Sequence, residues 1–116
     1  MLIAASLVFV PYALSRNDNA WATDTLTFCN LIANVYCESA ADALTRGDNE
    51  AAKRAAISAL AAAPKNVKAH YVQGVALFRL LDRDGARREW EQCLTLDPGY
   101  EPALQALSEL GREFVN

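Results

Sequence analysis

The sequence has little histidine and little cysteine, and this excludes several kinds of active site. It contains one His and three Cys among 116 residues. A single copy of the chain therefore cannot supply a four-cysteine or a histidine-rich metal site. It also lacks a cluster of Asp and Glu at calcium-loop spacing, and it lacks a glycine-rich phosphate-binding loop. We therefore expect no metal, no cofactor and no catalytic residues. The composition favours an interaction module over an enzyme.

An excess of positive charge is absent as well. The net charge is −3 and the pI is near 5.0, which argues against a general nucleic-acid-binding surface. The chain is 53% apolar and 22% charged. This composition is typical of an ordered protein, and the length allows one compact domain. The arginines between Arg79 and Arg88 alternate with acidic residues, which indicates a solvated helical face.

The histidine and the cysteines are predicted to be packing residues. A Ser or Cys nucleophile needs a base, and His70 has no local signature of a catalytic dyad. Cys29 and Cys37 lie about 12 Å apart along one predicted helix, which is too far for a disulfide within it. We interpret both of them, and Cys93, as small buried apolar residues. A bridge from Cys29 or Cys37 to another subunit is the alternative.

The first fourteen residues carry no charged side chain and are strongly apolar. As a helix they would span about 21 Å, less than a hydrocarbon core of about 30 Å, and Pro11 would interrupt that helix. Three interpretations stay open. The segment is a secretory signal cleaved at the A-x-A site of residues 20–22, or an uncleaved membrane or interfacial anchor, or an arm buried against this protein or a neighbouring subunit.

Beyond a polar linker, the apolar residues recur at helical spacing, and no stretch alternates with a period of two. We therefore predict an all-α chain of five helices. The first is capped by Thr23 or Thr25 and ends at Gly47. The others are predicted at Glu50 to Ala63 after Asn49, Val67 to Leu81 after Asn66, Gly85 to Leu96, and Glu101 to about Phe114.

The helices repeat at an interval of 34 residues. Pro64 and Pro98 are separated by this interval, and each ends the second helix of a helix–turn–helix unit. Small residues, which close helix packing requires, keep the same interval. They are Ala40, Gly74 and Ser108 in first helices, and Ala52 with Ala86 and Ala59 with Cys93 in second helices. Ala56 is matched by a bulky filler, Trp90.

The clearest unit runs from Ala69 to Pro98. It carries Gly74 to Phe78, Ala86, Trp90, Cys93-Leu94 and Leu96-Asp97-Pro98. In these residues the chain resembles the tetratricopeptide repeat (TPR) family. The resemblance implies a TPR-like helix-turn-helix solenoid of about two repeats, at residues 33–66 and 67–100, with a C-terminal capping helix at 101–116. Residues 23–116 would form this domain, and residues 1–22 an apolar arm and linker. The chain departs from the family pattern at His70, where the family has Trp, and at Tyr36 and Ala56.

Two repeats leave apolar surface uncovered. Each repeat buries its apolar face by stacking on neighbours, and about three repeats are normally needed. The early turns of the first helix come before the repeats in the chain, and they add apolar surface to that of the arm. Exposed apolar surface of this kind predicts contact with a partner, a membrane or a second copy. The residues expected in this contact are Leu2, Ile3, Leu7, Val8, Phe9, Val10, Phe28, Leu31 and Ile32.

In the TPR family, first helices line a groove that holds an extended peptide or a partner helix. The residues that the resemblance places in this groove are Asn34, Glu38, Lys68, Tyr71, Val75, Arg79 and Gln105. The carboxylate clamp of chaperone-tail grooves is not supported, because Glu38, Val72 and Ala106 stand where its Asn is needed. The alternatives are that these residues only cover the inner surface of the solenoid, or that they hold the N-terminal arm.

The sequence thus predicts a non-enzymatic protein–protein interaction module. The first interpretation is an accessory or scaffold subunit that is membrane-associated through its apolar arm and has a membrane protein complex as partner. One alternative is a secreted or periplasmic TPR protein, freed of residues 1–22, that binds peptides in its groove. Another is a homo-oligomer in which the arm packs into a neighbour's groove.

Overall fold

Five α-helices joined by short connections make up the described part of the chain. The computed structural model describes the backbone of residues 20–115 and the side-chain surroundings of residues 25–112. The helices are α1 Ala20–Thr45, α2 Asn49–Ala62, α3 Val67–Arg79, α4 Arg83–Leu96 and α5 Glu101–Val115. Residues 20–115 contain no strand. The predicted all-α class is therefore confirmed for this part of the chain.

Three of the helices begin at a side-chain cap. In each case the side chain of the cap accepts a hydrogen bond from the backbone N–H three residues later in the chain. The caps are Asp48, Asn66 and Asp82, with distances of 3.1, 3.0 and 2.9 Å. Such a cap satisfies one of the free N–H groups of a helix start. The prediction for Asn66 is confirmed. The prediction that Asn49 caps α2 is wrong, because the carboxylate of Asp48 takes that role.

Two other helices begin earlier in the chain than predicted. The cap at Asp82 lets α4 begin at Arg83, two residues before Gly85. Helix α1 begins at Ala20, ahead of the expected caps at Thr23 and Thr25. No Gly or Pro stands between Ala20 and Thr25 to end a helix there.

Helices α1 and α3 end in the same way, 34 residues apart. Gly47 and Leu81 adopt left-handed backbone angles, with φ of 80° and 69°. The next N–H then donates back over the helix end, from Asp48 to the Ala43 carbonyl at 2.8 Å and from Asp82 to the Leu77 carbonyl at 2.9 Å. This hydrogen-bond pattern closes a helix with a Schellman motif. It ends α3 at Arg79, short of the predicted end at Leu81.

Helices α2 and α4 also end alike. Their caps, Ala63 and Asp97, have φ of −143° and −144°. Each cap precedes a proline, Pro64 or Pro98, and the residue before a proline is confined to extended angles. The interval of 34 residues found in the sequence is therefore present in the backbone of both helical pairs.

The helices pack as neighbours along the chain. Helix α1 packs on α2, α2 on α3, α3 on α4 and α4 on α5, and α1 also contacts α3. The buried core among α1, α2 and α3 consists of alanines with Cys37 and Val72, whereas the C-terminal core is built around Trp90 with Leu77 and Leu110. The bulky aromatic residue lies only in the second pair, as the sequence predicts.

Small side chains allow close approach at most of the predicted positions. A Cβ added to Gly74 would stand 2.7 Å from Cδ1 of Trp90, so the indole needs a glycine there. Of the small residues predicted at these positions, five are fully buried: Ala40, Ala52, Ala59, Ala86 and Cys93. The prediction for Ser108 is wrong, because this residue is exposed on α5. No helix within the described residues follows α5 to pack against that face.

Candidate interaction surfaces

His70 links three parts of the chain. Its Nδ1 lies 2.8 Å from Oε1 of Glu89 on α4, and its Nε2 lies 2.9 Å from the carbonyl oxygen of Pro64. Both partners are acceptors, so both hydrogen bonds form together only when the imidazole carries a proton on each nitrogen. The ring ties α3 to α4 and to the α2–α3 connection, and neither nitrogen points at open solvent as a free base.

Two of the three thiols are buried in the core. Cys37 and Cys93 are fully buried, as predicted. The prediction that Cys29 is buried is wrong, because its side chain is half-exposed on α1. Burial, and then the charge of Glu89, raises the pKa of the Cys93 thiol to about 12. Burial also raises the pKa of Cys37, and the nearby Lys68 offsets part of this shift. Because the thiolate is the nucleophile, neither buried cysteine is suited to covalent chemistry at neutral pH.

The described residues contain neither a metal-binding cluster nor a helix that could span a membrane. Within residues 20–115, no three His, Cys, Asp or Glu side chains are grouped so that they could hold a metal ion. Among the helices of this same region, none has the length and apolar character to cross a membrane.

Four predicted groove residues meet between α3 and α5. Two adjoining cavities of about 330 and 310 Å³ share Tyr71, Ala106 and Glu109 as walls. Gln105 lines the first cavity, and Val75 and Arg79 line the second. We refer to this concave region as the α3–α5 groove; its other walls are Phe78, Trp90, Glu101, Pro102 and Leu110.

Hydrogen bonds and ring contacts already fix several of the groove residues. Arg79 Nη1 donates to the Leu44 carbonyl at 2.8 Å, so its cation stabilises the C-terminal end of α1. Tyr71 contacts Tyr100 edge to face, with ring centroids 6.0 Å apart. Gln105 Nε2 donates to Glu109 Oε1 at 3.3 Å. The floor of the groove is therefore ordered, and its outer wall carries carboxylates.

The remaining predicted groove residues lie elsewhere. Asn34, Glu38 and Lys68 are exposed, and none of them lines the α3–α5 groove. Asn34 Oδ1 accepts a hydrogen bond from Asn66 Nδ2 at 3.3 Å, across the junction of α1 with the start of α3. The predicted set thus divides into a groove and a separate polar region.

A stripe of apolar side chains runs along α1 on the side away from the core. Its members follow the i, i+3, i+4, i+7, i+8 spacing of one helical face. We call it the α1 stripe, and it consists of Phe28, Leu31, Ile32, Val35 and Tyr36. Phe28 and Leu31 are 63% and 58% exposed, and Ile32 is half-exposed. No charged residue stands between Thr25 and Cys37.

The 34-residue interval explains why the α1 stripe is open. Val35 corresponds to Ala69 on α3 and to Ala103 on α5. Both alanines are fully buried, and each packs on the helical pair that precedes it. Val35 is 66% exposed, because within the described residues no helical pair precedes α1. At Val35, the α1 stripe thus occupies the position that, one and two repeats later, lies in an interface between helical pairs.

Only part of the α1 stripe is predicted from the sequence as a contact surface. The sequence predicts a contact for Phe28, Leu31 and Ile32, but not for Val35 and Tyr36. The 34-residue interval could have identified Val35 as a surface residue. Its equivalents Ala69 and Ala103 are small, as expected where a preceding helical pair packs closely. The other predicted contact residues lie outside the described residues; they are Leu2, Ile3, Leu7, Val8, Phe9 and Val10.

Comparison of the chain with models of known protein families and with curated proteins gives no match. The α1 stripe and the α3–α5 groove are the two surfaces that bear on function.

Proposed function

We propose that the chain is a non-enzymatic protein–protein interaction module with a TPR-like solenoid architecture. It acts as an accessory or scaffold subunit held to a membrane or a membrane protein complex by its apolar N-terminal arm and the α1 stripe. The matching caps, Schellman ends and proline-terminated second helices of the two helical pairs support the repeat architecture. The open edge at Val35 is the observation that carries the assignment of function.

The open edge favours a partner because of its size and composition. Large apolar side chains exposed together, without charge among them, mark interaction surfaces in soluble domains. Among the described residues no helical pair covers this face, which in a stack of repeats is buried against a neighbour. A partner that covers the α1 stripe would bury Phe28, Leu31 and Val35 at once, and large central apolar residues supply most binding energy in protein interfaces.

The test is purification of the tagged full-length chain from its own cells in mild detergent, with mass spectrometry of the proteins that accompany it. We expect a stoichiometric set of membrane proteins and an intact N-terminal arm. The double substitution Leu31→Glu/Val35→Glu should remove this set, because it places two charges in the stripe. Ile57→Glu is the matched control, since Ile57 is also an exposed apolar residue, at 48%, but lies on α2.

Two results would contradict the proposal. The first is a full-length chain that purifies without any stoichiometric partner. The second is an unchanged set of partners with Leu31→Glu/Val35→Glu, provided that circular dichroism shows the variant folded. A homodimer as the sole product would favour the oligomeric alternative.

The α3–α5 groove supports a second candidate function. Its two adjoining cavities and ordered aromatic floor fit an extended peptide, and this candidate is a secreted or periplasmic protein that has lost residues 1–22. A mature chain that begins at Thr23 and binds peptides would favour it. Substitution of Tyr71 by Ala should then weaken peptide binding, whereas Leu31→Glu/Val35→Glu should leave it unchanged.

A further inference from the structure

The ring of His70 lies between two acceptors that it satisfies together only as a cation. Nδ1 is 2.8 Å from the Glu89 carboxylate on α4, and Nε2 is 2.9 Å from the Pro64 carbonyl oxygen in the α2–α3 connection. A neutral imidazole has a single N–H, so it donates to one partner and turns a lone pair towards the other. The arrangement in the structure is therefore that of the protonated ring.

Loss of one proton leaves a choice between the two bonds, and the carboxylate is the stronger acceptor. Hydrogen bonds to an ionised group are roughly twice as strong as those between neutral groups. The side chains of His70 and Glu89 are only 13% and 23% exposed, so water screens this pair in part. The remaining N–H stays with Glu89, and the Nε2 lone pair then repels the Pro64 carbonyl. Pro64 is exposed, so its carbonyl can turn to water instead.

The segment that would be released joins the two helical pairs. The α2–α3 connection comprises residues 63–66, and within it Asn66 N donates to the Ala63 carbonyl at 3.0 Å. The bonds from Pro64 through His70 to Glu89 tie this connection to α4. Residues 62–65 also form one wall of a cavity of about 360 Å³, whose other wall is α1 at Leu26, Cys29 and Asn30. Movement of the connection would therefore reshape this cavity.

The other ionisable groups on the surrounding elements are neutral or lie in solvent. Burial, and then the charge of Glu89, raises the pKa of the Cys93 thiol, one turn further along α4, to about 12. The exposed charged residues that flank His70 and Glu89 in the chain are Lys65, Lys68, Arg87, Arg88 and Glu91. Those between Thr25 and Thr45 on α1 are also exposed; they are Glu38 and Asp42. Those of α2 lie in its first two turns, away from Pro64; they are Glu50, Lys53 and Arg54. The charge that acts on the ring is therefore that of Glu89.

We propose that His70 is a pH-sensitive latch on the junction between the two helical pairs. The protonated ring holds the α2–α3 connection against α4, and the neutral ring keeps Glu89 and releases Pro64. Because both acceptors favour the protonated ring, the latch is closed at low pH and opens as the pH rises through the range of about 5 to 8 in which imidazoles titrate. The latch lies inside the fold and does not depend on the proposed attachment through α1.

Amide exchange of the full-length chain, measured by NMR at pH 5 and pH 8.5, tests the latch. Rates are expressed as protection factors, which removes the intrinsic effect of pH on exchange. The reporter is the amide of Asn66, since it is hydrogen-bonded inside the connection. We expect its protection factor to fall about tenfold from pH 5 to pH 8.5, while that of Ala76, buried within α3, stays unchanged. An Asn66 protection factor that does not change with pH would overturn the proposal.

Two variants distinguish the latch from a merely structural role of His70. In His70→Gln the pH dependence should vanish, because no titrating group then contacts Pro64. In Glu89→Gln it should vanish with Asn66 protected at both pH values. There the neutral ring donates from Nε2 to Pro64 and accepts at Nδ1 from the new carboxamide. A tenfold change that persists in His70→Gln, or low protection at pH 8.5 in folded Glu89→Gln, would contradict the proposal.

The unaltered chain supplies a second readout that needs no variant. It contains one histidine, so the ¹⁵N chemical shifts of the imidazole report His70 alone. We expect both nitrogens to be protonated at pH 5 and the proton to remain on Nδ1 at pH 8.5. A neutral ring that carries its proton on Nε2 would keep the bond to Pro64, and it would overturn the proposal.

Discussion

Val35 on α1 and Ala69 on α3 occupy the same place in two successive repeats, yet their surroundings are opposite. Ala69 is fully buried against the first helical pair, and Val35 is 66% exposed. The larger residue thus stands where there is space, and the smaller one where a neighbour is close. Whether a residue of a solenoid is buried thus depends on the preceding repeat as much as on the helix that carries the residue. The open edge of α1 marks the place where a neighbour has to be supplied.

The largest expected effect is at the closed end of the stack. Trp90 is 4% exposed and contacts Gly74 and Phe78, so Trp90→Ala should leave a cavity in the C-terminal core. We expect the free energy of unfolding, measured with urea, to fall by about 3–5 kcal/mol. Ile57→Ala, on the exposed side of α2, should change it by about 1 kcal/mol or less. Similar losses for the two variants would contradict the description of the core.

The difference between Val35 and Ala69 can be tested by placing valine at position 69 as well. Ala69→Val adds two methyl groups where Ala69 has no exposed surface, and it should lower the free energy of unfolding by about 1–3 kcal/mol. The control is Ala41→Val, at an exposed position on α1, with an expected loss of about 0.5 kcal/mol from helix propensity. If the free energy of unfolding falls by the same small amount in both variants, position 69 does not lie in a packed interface between helical pairs.

Alkaline pH should weaken the buried core. The pKa of the Cys93 thiol is raised from 9.0 to about 12 in the folded chain. Between these values only the unfolded chain ionises, so stability is complete below pH 9 and is lost as the pH rises towards 12. At pH 10 the loss should be about 1 kcal/mol. Cys93→Ala should reduce the slope of the free energy of unfolding against pH, and an unchanged slope would contradict the assignment.

The smallest expected effect sharpens the comparison of the two helix ends. Leu81 is 82% exposed and has φ of 69°, in the place where the first repeat has Gly47. Leu81→Gly should raise the free energy of unfolding by about 0.5–1 kcal/mol, because glycine adopts this angle without strain. Gly47→Ala should lower it by about 1 kcal/mol. A loss on Leu81→Gly would mean that the leucine makes a stabilising contact.

The helical part of the fold follows from local signals in the sequence. Asn66 and the prolines at 64 and 98 fix helix boundaries by local chemistry, and the structure keeps them. The start of α1 was placed too late, because a Thr can cap a helix without being required to do so. Ser108 was predicted to be buried, since its equivalents Ala40 and Gly74 are, but burial depends on a following helix.

The candidate surfaces were less accessible to sequence reasoning. Periodicity shows that Val35 belongs to an apolar face, but it does not show whether another helix covers that face. The groove prediction includes Tyr71, Val75, Arg79 and Gln105, and these four side chains line the α3–α5 groove. It did not anticipate that Arg79 binds the carbonyl of Leu44, since that contact joins residues far apart in the chain.

The most direct measurement is the rate at which a thiol reagent labels Val35→Cys in membranes from the native cells, relative to Ile57→Cys in the same Cys29→Ser background. The proposed attachment through α1 predicts that Val35→Cys reacts at least tenfold more slowly, although Val35 is the more exposed of the two in the described domain. Labelling of Val35→Cys as fast as that of Ile57→Cys would mean that nothing covers the open edge, and it would contradict the central claim.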